Sequence, residues 1–136
     1  MAFVLDTSVT ACWAFVDEDH PAATLAFEKL QNEEALVPAL WWFEIRNSLI
    51  VQERRKRINE ADAARFLRDL AGFPIRTDHS PDEHTILRLA RSHRLSVYDA
   101  AYLELALRGG LPLATLDADL AGAARAESVP VLRGIS

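Results

Sequence analysis

The sequence predicts an α/β fold built on a mainly parallel sheet, and two features of the chain carry that expectation. Short apolar runs alternate with longer amphipathic stretches, the order expected when strands are joined by crossover helices. Two of those runs, Phe3-Val4-Leu5-Asp6-Thr7 and Leu113-Ala114-Thr115-Leu116-Asp117, also end alike, each in an acid placed ahead of a helix. The 136 residues suit one domain with one sizeable core, and no repeat, low-complexity segment or linker divides them.

Residues 2–6 read as a buried strand and 8–16 as a first helix, with Thr7 or Ser8 as its cap. Pro21 suits the first turn of a second helix that runs to Leu30. Residues 35–37 form a second short strand, ended by Pro38, and 40–54 a third helix. A fourth helix over 61–70 stops at Gly72, and residues 74–77 read as another strand. Ser80-Pro81-Asp82-Glu83 then supplies a cap, a proline at the first helical position and the acid of a capping box, for a helix reaching Ser92. Ser96 opens the next helix, which runs to Leu107 and closes at Gly109-Gly110. Residues 112–116 are a buried strand, 119–125 a short helix and 130–132 a last strand, so the expected count is about five strands and seven helices.

Composition removes many kinds of chemistry. Fifteen Lys and Arg against 20 Asp and Glu leave a net charge of −5, and half of the residues are hydrophobic, as in a compact soluble domain. No stretch approaches the roughly 18–20 apolar residues of a membrane span. Met1-Ala2-Phe3-Val4-Leu5-Asp6 lacks the basic start of a secretory signal, so the expected location is cytoplasmic. With Cys12 as its one cysteine, the chain has no internal disulfide, no Cys-x-x-Cys pair and no cysteine-based zinc site. The first glycine is Gly72, so no phosphate-cradling loop follows the first strand, and there is no Gly-x-Ser-x-Gly elbow or His-Glu-x-x-His helix. His20, His79, His84 and His93 lack a ligand spacing and are expected mostly at the surface. The acidic total argues against a large electrostatic surface for nucleic acid, although a local basic strip is compatible with it. Carboxylates remain.

Four acids stand out. Asp6 and Asp117 follow apolar runs, and if both strands are parallel members of one sheet, both carboxylates lie at its C-terminal edge, where open α/β sheets place their sites. The competing reading is that each only caps the helix behind it; against it, Thr7 and Ser8 offer caps beside Asp6, and Asp119 offers one beside Asp117. Glu44 lies in Leu40-Trp41-Trp42-Phe43-Glu44-Ile45-Arg46-Asn47, with apolar residues around most of the helix, so it is expected to face protein, where a lone carboxylate is costly. Arg46, two residues away, does not face it; a distant Arg or a backbone amide is the structural alternative. Asp99 holds the reciprocal position of a capping box opened by Ser96, yet shares a helical face with Tyr102, Leu103 and Ala106. If the four meet, like charges ~4 Å apart repel by roughly 4 kcal/mol at an effective dielectric near 20, so the group raises its own pKa values or recruits cations. Mg²⁺ or Mn²⁺ with oxygen ligands answers that need, and such a site supports in-line attack on a phosphodiester.

These residues, in this order, resemble the PIN-domain ribonucleases, and specifically the VapC-type toxins of bacterial toxin–antitoxin pairs. The resemblance runs through Val4-Leu5-Asp6-Thr7-Ser8, Val37-Pro38 with Glu44-Ile45-Arg46-Asn47-Ser48-Leu49, Ser96-Val97-Tyr98-Asp99-Ala100-Ala101-Tyr102 and Leu113-Ala114-Thr115-Leu116-Asp117, which is essentially the whole chain. It implies a three-layer α/β/α PIN-like domain over 1–136 with a parallel sheet of about five strands. It also implies Mg²⁺ or Mn²⁺ held by Asp6, Glu44, Asp99 and Asp117, with Asp6 and Asp99 as principal ligands. Thr115 and Thr7 or Ser8 would support the site through hydroxyl contacts, while Asp119 would either supplement Asp117 or only cap the last helix. The family further implies an endoribonuclease acting on tRNA or rRNA, commonly a homodimer, silenced by a VapB-like antitoxin that inserts a segment near the acids, often with an Arg.

Two other features gain readings. Arg54-Arg55-Lys56-Arg57, with Arg65 and Arg68 on the next helix, either hold RNA phosphates or form a solvated helix end favoured by the macrodipole. Of Trp41, Trp42 and Phe43, one ring is expected to line a groove for the antitoxin or the dimer partner and two to enter the core; Asp17-Glu18-Asp19 reads as a solvated loop. The rival functional class is a catalytically idle relative that mainly binds its antitoxin. A phosphatase or receiver-like domain fits less well, because Asp6-Thr7-Ser8 lacks the second acid of Asp-x-Asp and no lysine ends a later strand.

Overall fold

A computed structural model of the chain describes residues 1–15 and 20–133. The acidic run Asp17-Glu18-Asp19 and the expected end of the first helix at Val16 lie outside the described residues. The elements are β1 (Ala2–Leu5), α1 (Thr7–Cys12), α2 (Pro21–Lys29), β2 (Glu34–Pro38), α3 (Leu40–Arg54), α4 (Glu60–Leu70), β3 (Ile75–Asp78), α5 (Glu83–His93), α6 (Val97–Gly109), β4 (Leu113–Ala114) and α7 (Ala118–Ala126).

All pairings in the sheet are parallel and its order is β3-β2-β1-β4. Val4 stands opposite Leu36 on one side and Leu113 on the other, which makes β1 an interior strand. The expected fifth strand is reduced to one parallel bridge from Val131 to Leu113, beside β4. Phe3, Val4 and Leu5 are all fully buried although neighbouring side chains of a strand point to opposite faces, so helices cover the sheet on both sides. The chain winds outward from β1 through β2 to β3 and then returns to the far side of β1 with β4. The order therefore reverses between β1 and β4, and their C-terminal ends form the topological switch point of the sheet.

Local chemistry places four helix starts at that edge. Helices α1, α3 and α7 follow β1, β2 and β4 directly. Helix α6 precedes β4 through the short Gly110-Leu111-Pro112 link, so it runs antiparallel to β4 and its first turn stands where the strands end. Gly110 allows that reversal by adopting φ +63°, a left-handed conformation that a side chain would disfavour. Ala100 through Ala106 are buried without interruption, because α6 packs on β1, β2 and β4 and against α5 and α7.

Several local expectations need correction. Helix α1 begins at Thr7 with the Asp6 backbone at the cap position, and neither Thr7 nor Ser8 serves as the cap. Asp82, not Ser80, caps α5 by accepting from the Thr85 amide, which leaves Pro81 outside the helix. Asn59 and Asp62 form a reciprocal capping box that starts α4 one residue early. On α3 the buried stripe is Trp41, Ile45 and Leu49, so only one of the three successive rings enters the core. The Trp41 indole donates to Thr10 Oγ1 (3.0 Å) and fixes α3 on α1. Trp42 and Phe43 are exposed, and the Arg46 guanidinium lies 3.7 Å over the Trp42 ring.

Candidate active site

The acids singled out in the sequence converge at the switch point. Asp6 leaves β1 into the edge and is almost fully buried, and its side chain makes no cap bond to α1. Ser8 Oγ and Thr115 Oγ1 each donate to Asp6 Oδ2 at 2.7 Å. Ser8 Oγ in turn accepts from the Leu116 amide (2.9 Å) and Thr115 Oγ1 from the Asp117 amide (3.0 Å), so the turns after β1 and β4 are laced together through hydroxyls. Burial pushes the Asp6 carboxyl above its ordinary value, and the two hydroxyls only partly offset this.

Glu44, on the second turn of α3, is half-buried and needs no arginine. Its Oε1 accepts from Thr7 Oγ1 (3.0 Å) and from the Tyr102 hydroxyl (2.5 Å), and those two oxygens are themselves 2.8 Å apart. Burial and the bond to Glu44 hold the Tyr102 phenol well above its ordinary range, so it stays a donor. Arg46 instead donates to the Trp42 carbonyl.

Asp99 sits in the first turn of α6. Ser96 Oγ accepts from the Asp99 amide, which is half of a capping box, but the carboxylate returns no bond to Ser96 among the described residues. Its carboxyl is pushed up to about 6, first by burial and then by Asp117, Asp6, Glu44 and Asp119 in that order. All five acids therefore share one electrostatic neighbourhood. Asp117 is also the cap of α7, its Oδ1 accepting from the Asp119 and Leu120 amides, so here capping and site membership coexist. Asp119 is exposed and exerts the weakest of the four repulsions on Asp99.

None of the ion pairs among the described residues includes any of the five acids, even though α1, α3, α6 and α7 aim their positive dipole ends at the same edge. Among the described residues no three candidate ligands form a ready-made cage for one ion. Such a cage is not required, because Mg²⁺ keeps several waters and takes one or two carboxylates. A buried carboxylate and a half-buried one, each pushed above its ordinary value first by burial and then by neighbouring carboxylates, fit a hard divalent ion, and the oxygen-only donor set matches Mg²⁺ or Mn²⁺.

Sequence pattern places Tyr102 only in the core, yet a buried tyrosine hydroxyl three residues after Asp99 requires a polar partner, and that requirement is the signal for its place beside Glu44. Arg54, Arg55, Lys56 and Arg57 are exposed at the far end of α3, about 15 Å from Glu44 at 1.5 Å per residue. His20, His79 and His84 are exposed as expected, while half-buried His93 pairs with Glu127 at 2.6 Å.

The PIN-domain family model matches residues 3–126. The chain is 34% identical over 124 residues to Ribonuclease VapC3 of Pyrobaculum aerophilum, an alignment covering 89% of this chain and 93% of that protein. Its fold is similar to the crystal structure of PAE2754 from Pyrobaculum aerophilum, with TM-score 0.72 and 22% identity over 90% of this chain and 84% of that one. It is also similar to Mycobacterium tuberculosis VapC20, described as a sarcin-ricin loop cleaving toxin, with TM-score 0.62 and 16% identity over 89% and 94% of the two chains. With the parallel sheet, the acids at its switch point and a match along nearly its whole length, this chain belongs to the PIN-domain family and, within it, to the VapC-type nucleases.

Proposed function

We propose that the protein is a divalent-metal-dependent endoribonuclease, the toxin of a VapBC-type toxin–antitoxin pair, and that Asp6, Glu44, Asp99 and Asp117 hold Mg²⁺ or Mn²⁺. The observation that carries this reading is a group of five carboxylates gathered at the switch point, with no cation paired to them among the described residues. When bound, the ion would supply Lewis acidity to the phosphodiester and a more acidic water for in-line attack. The protein's own contribution is preorganisation. Ser8 and Thr115 fix Asp6 from two sides, and the Asp119 and Leu120 amides fix Asp117, so these carboxylates are aimed before substrate arrives. Asp99, held half out of water with its carboxyl pushed up to about 6, would stand ionised near pH 7 as a second anionic ligand.

The ion would also reverse the sign of charge where a phosphate must sit, which reconciles a net charge of −5 with a polyanionic substrate. Arg54, Arg55, Lys56 and Arg57, with Arg65 and Arg68, would contact phosphates outside the site rather than at the scissile bond, given their distance along α3. The substrate is proposed to be tRNA or rRNA; VapC20, to which the fold is similar, is described as cleaving the sarcin-ricin loop. A VapB-like antitoxin and a second copy of the chain are the proposed protein partners, and exposed Trp42 and Phe43 offer them aromatic surface beside Glu44. No described helix is long and apolar enough to cross a membrane, in keeping with the proposed cytoplasmic location.

Purified protein is expected to cut RNA internally in Mg²⁺ or Mn²⁺ and to stop in excess chelator, read by fragment sizes on a denaturing gel. Cleavage that persists in chelator would overturn the assignment.

A further inference from the structure

Within the reading of these acids as a divalent-cation site, we propose that Tyr102, acting together with Thr7, is a positioning residue that locks Glu44 Oε1 and thereby presents Oε2 to the cation. The hydroxyls come from separate helices, Thr7 from α1 and Tyr102 from α6, and they meet on one oxygen of an acid carried by α3. Among the described residues no hydrogen bond engages the other oxygen, Oε2.

The geometry resembles the treatment of Asp6, where two hydroxyls also crowd one oxygen. The means differ for a physical reason. Asp6 is short and rigidly placed at a strand end, and its partners are close by, just past the ends of β1 and β4. Glu44 has a longer, more flexible side chain that would otherwise sample many rotamers, so its restraint has to come from distant residues. Fixing the carboxylate before the ion arrives removes that ordering cost from binding. Tyr102 is suited to the task because its ring is fully buried among the α6 core residues, which leaves its hydroxyl little freedom. Three oxygen–oxygen contacts of 2.5, 2.8 and 3.0 Å share two hydroxyl protons when Glu44 is ionised. With the Thr7 and Tyr102 protons both directed at Oε1, at 3.0 and 2.5 Å, the two bonds to the carboxylate are charge-assisted and stronger than neutral ones.

The test is Mn²⁺ binding to the purified protein, read as free Mn²⁺ by electron paramagnetic resonance, together with thermal melting. Tyr102→Phe keeps the ring in the core and removes only the hydroxyl. It is expected to weaken Mn²⁺ binding about 10-fold, the lower end of the range for removing a group that orients a metal ligand. Thr7→Val is expected to act in the same direction, and in a Glu44→Gln background Tyr102→Phe is expected to cost little further affinity. A Tyr102→Phe protein that melts lower but binds Mn²⁺ as the wild type does would overturn the proposal, since the hydroxyl would then serve the core alone. An equal loss of affinity whether or not Glu44→Gln is present would overturn it too, because the effect would not pass through Glu44. If the wild-type protein itself binds no Mn²⁺, the failure belongs to the reading of the acids as a cation site, and the positioning role falls with it.

Discussion

Asp6→Asn is expected to lower RNA cleavage by about 10³-fold or more, the scale of losing a group that acts on charge in the transition state, while leaving the fold intact. The two halves of that expectation have separate origins. Asp6 directly follows interior strand β1 and is nearly buried, and removing its charge would remove the proposed anchor for the cation. The asparagine amide oxygen still accepts from Ser8 and Thr115, so the lacing between the β1 and β4 turns survives. Burial also disfavours the native charge, so the neutral replacement is expected to melt at the same temperature or higher. A denaturing-gel assay alongside a melting curve measures both. Cleavage within tenfold of wild type would contradict the role given to Asp6.

The largest expected loss of stability lies away from the acids, in Arg108→Ala. Arg108 forks onto Glu104 through Nε (2.6 Å) and a terminal nitrogen (3.1 Å), and onto Asp78 at the end of β3 at 2.7 and 3.1 Å. Glu104 is only 2% exposed, so truncating its cation strands a carboxylate in the core and also releases α6 from β3. The expected cost is about 3 kcal/mol, which for a chain of this length is a drop of roughly 10 °C in Tm. Adding Glu104→Gln to Arg108→Ala is expected to recover part of it, because the stranded charge is gone. Cleavage measured well below the melting range is expected to change little. A drop of less than about 2 °C would contradict this account of the pair.

The sequence revealed the sheet edge better than it revealed the contacts behind that edge. Paired apolar runs ending in acids located both strand ends of the switch point, and the ordered fragments around Glu44 and Asp99 located the other two carboxylates. Helix α3 matches its expected bounds because its apolar spacing is strong and Pro38 marks its approach. Thr7 and Ser8 escape local rules, which treat a hydroxyl ahead of a helix as a cap, whereas here both turn toward carboxylates held 37 and two residues away in sequence. Asp117 caps α7 and still lies beside Asp99 among the other acids, so the cap does not remove it from the edge. The Tyr102 bond to Glu44 spans 58 residues and the Arg108 bonds to Asp78 span 30, so nothing in local periodicity encodes either. The last strand shrinks to one parallel bridge between Val131 and Leu113, beside the two-residue strand β4.

Melting curves from pH 4 to pH 7, in chelator and in Mn²⁺, test most directly the proposal that a divalent cation relieves the mutual repulsion among these carboxylates. The Asp99 carboxyl is held up to about 6 against an ordinary 3.8, so between those values the folded chain keeps a proton that the unfolded chain has released. By linkage, this group's contribution to stability falls as pH rises through that window. Asp78, Asp82 and Glu127 are shifted the other way by their partners and gain stability with rising pH, so the informative quantity is the difference between wild type and Asp99→Asn. In chelator at pH 7 the Asn variant is expected to melt higher by about 3–5 °C, equivalent to about 1 kcal/mol after allowance for solvent screening, and the gap is expected to close toward pH 4. Adding Mn²⁺ at pH 7 is expected to raise the wild-type Tm and to raise that of the variant far less. A wild-type Tm that does not respond to Mn²⁺, or an equal rise in both proteins, would contradict the claim.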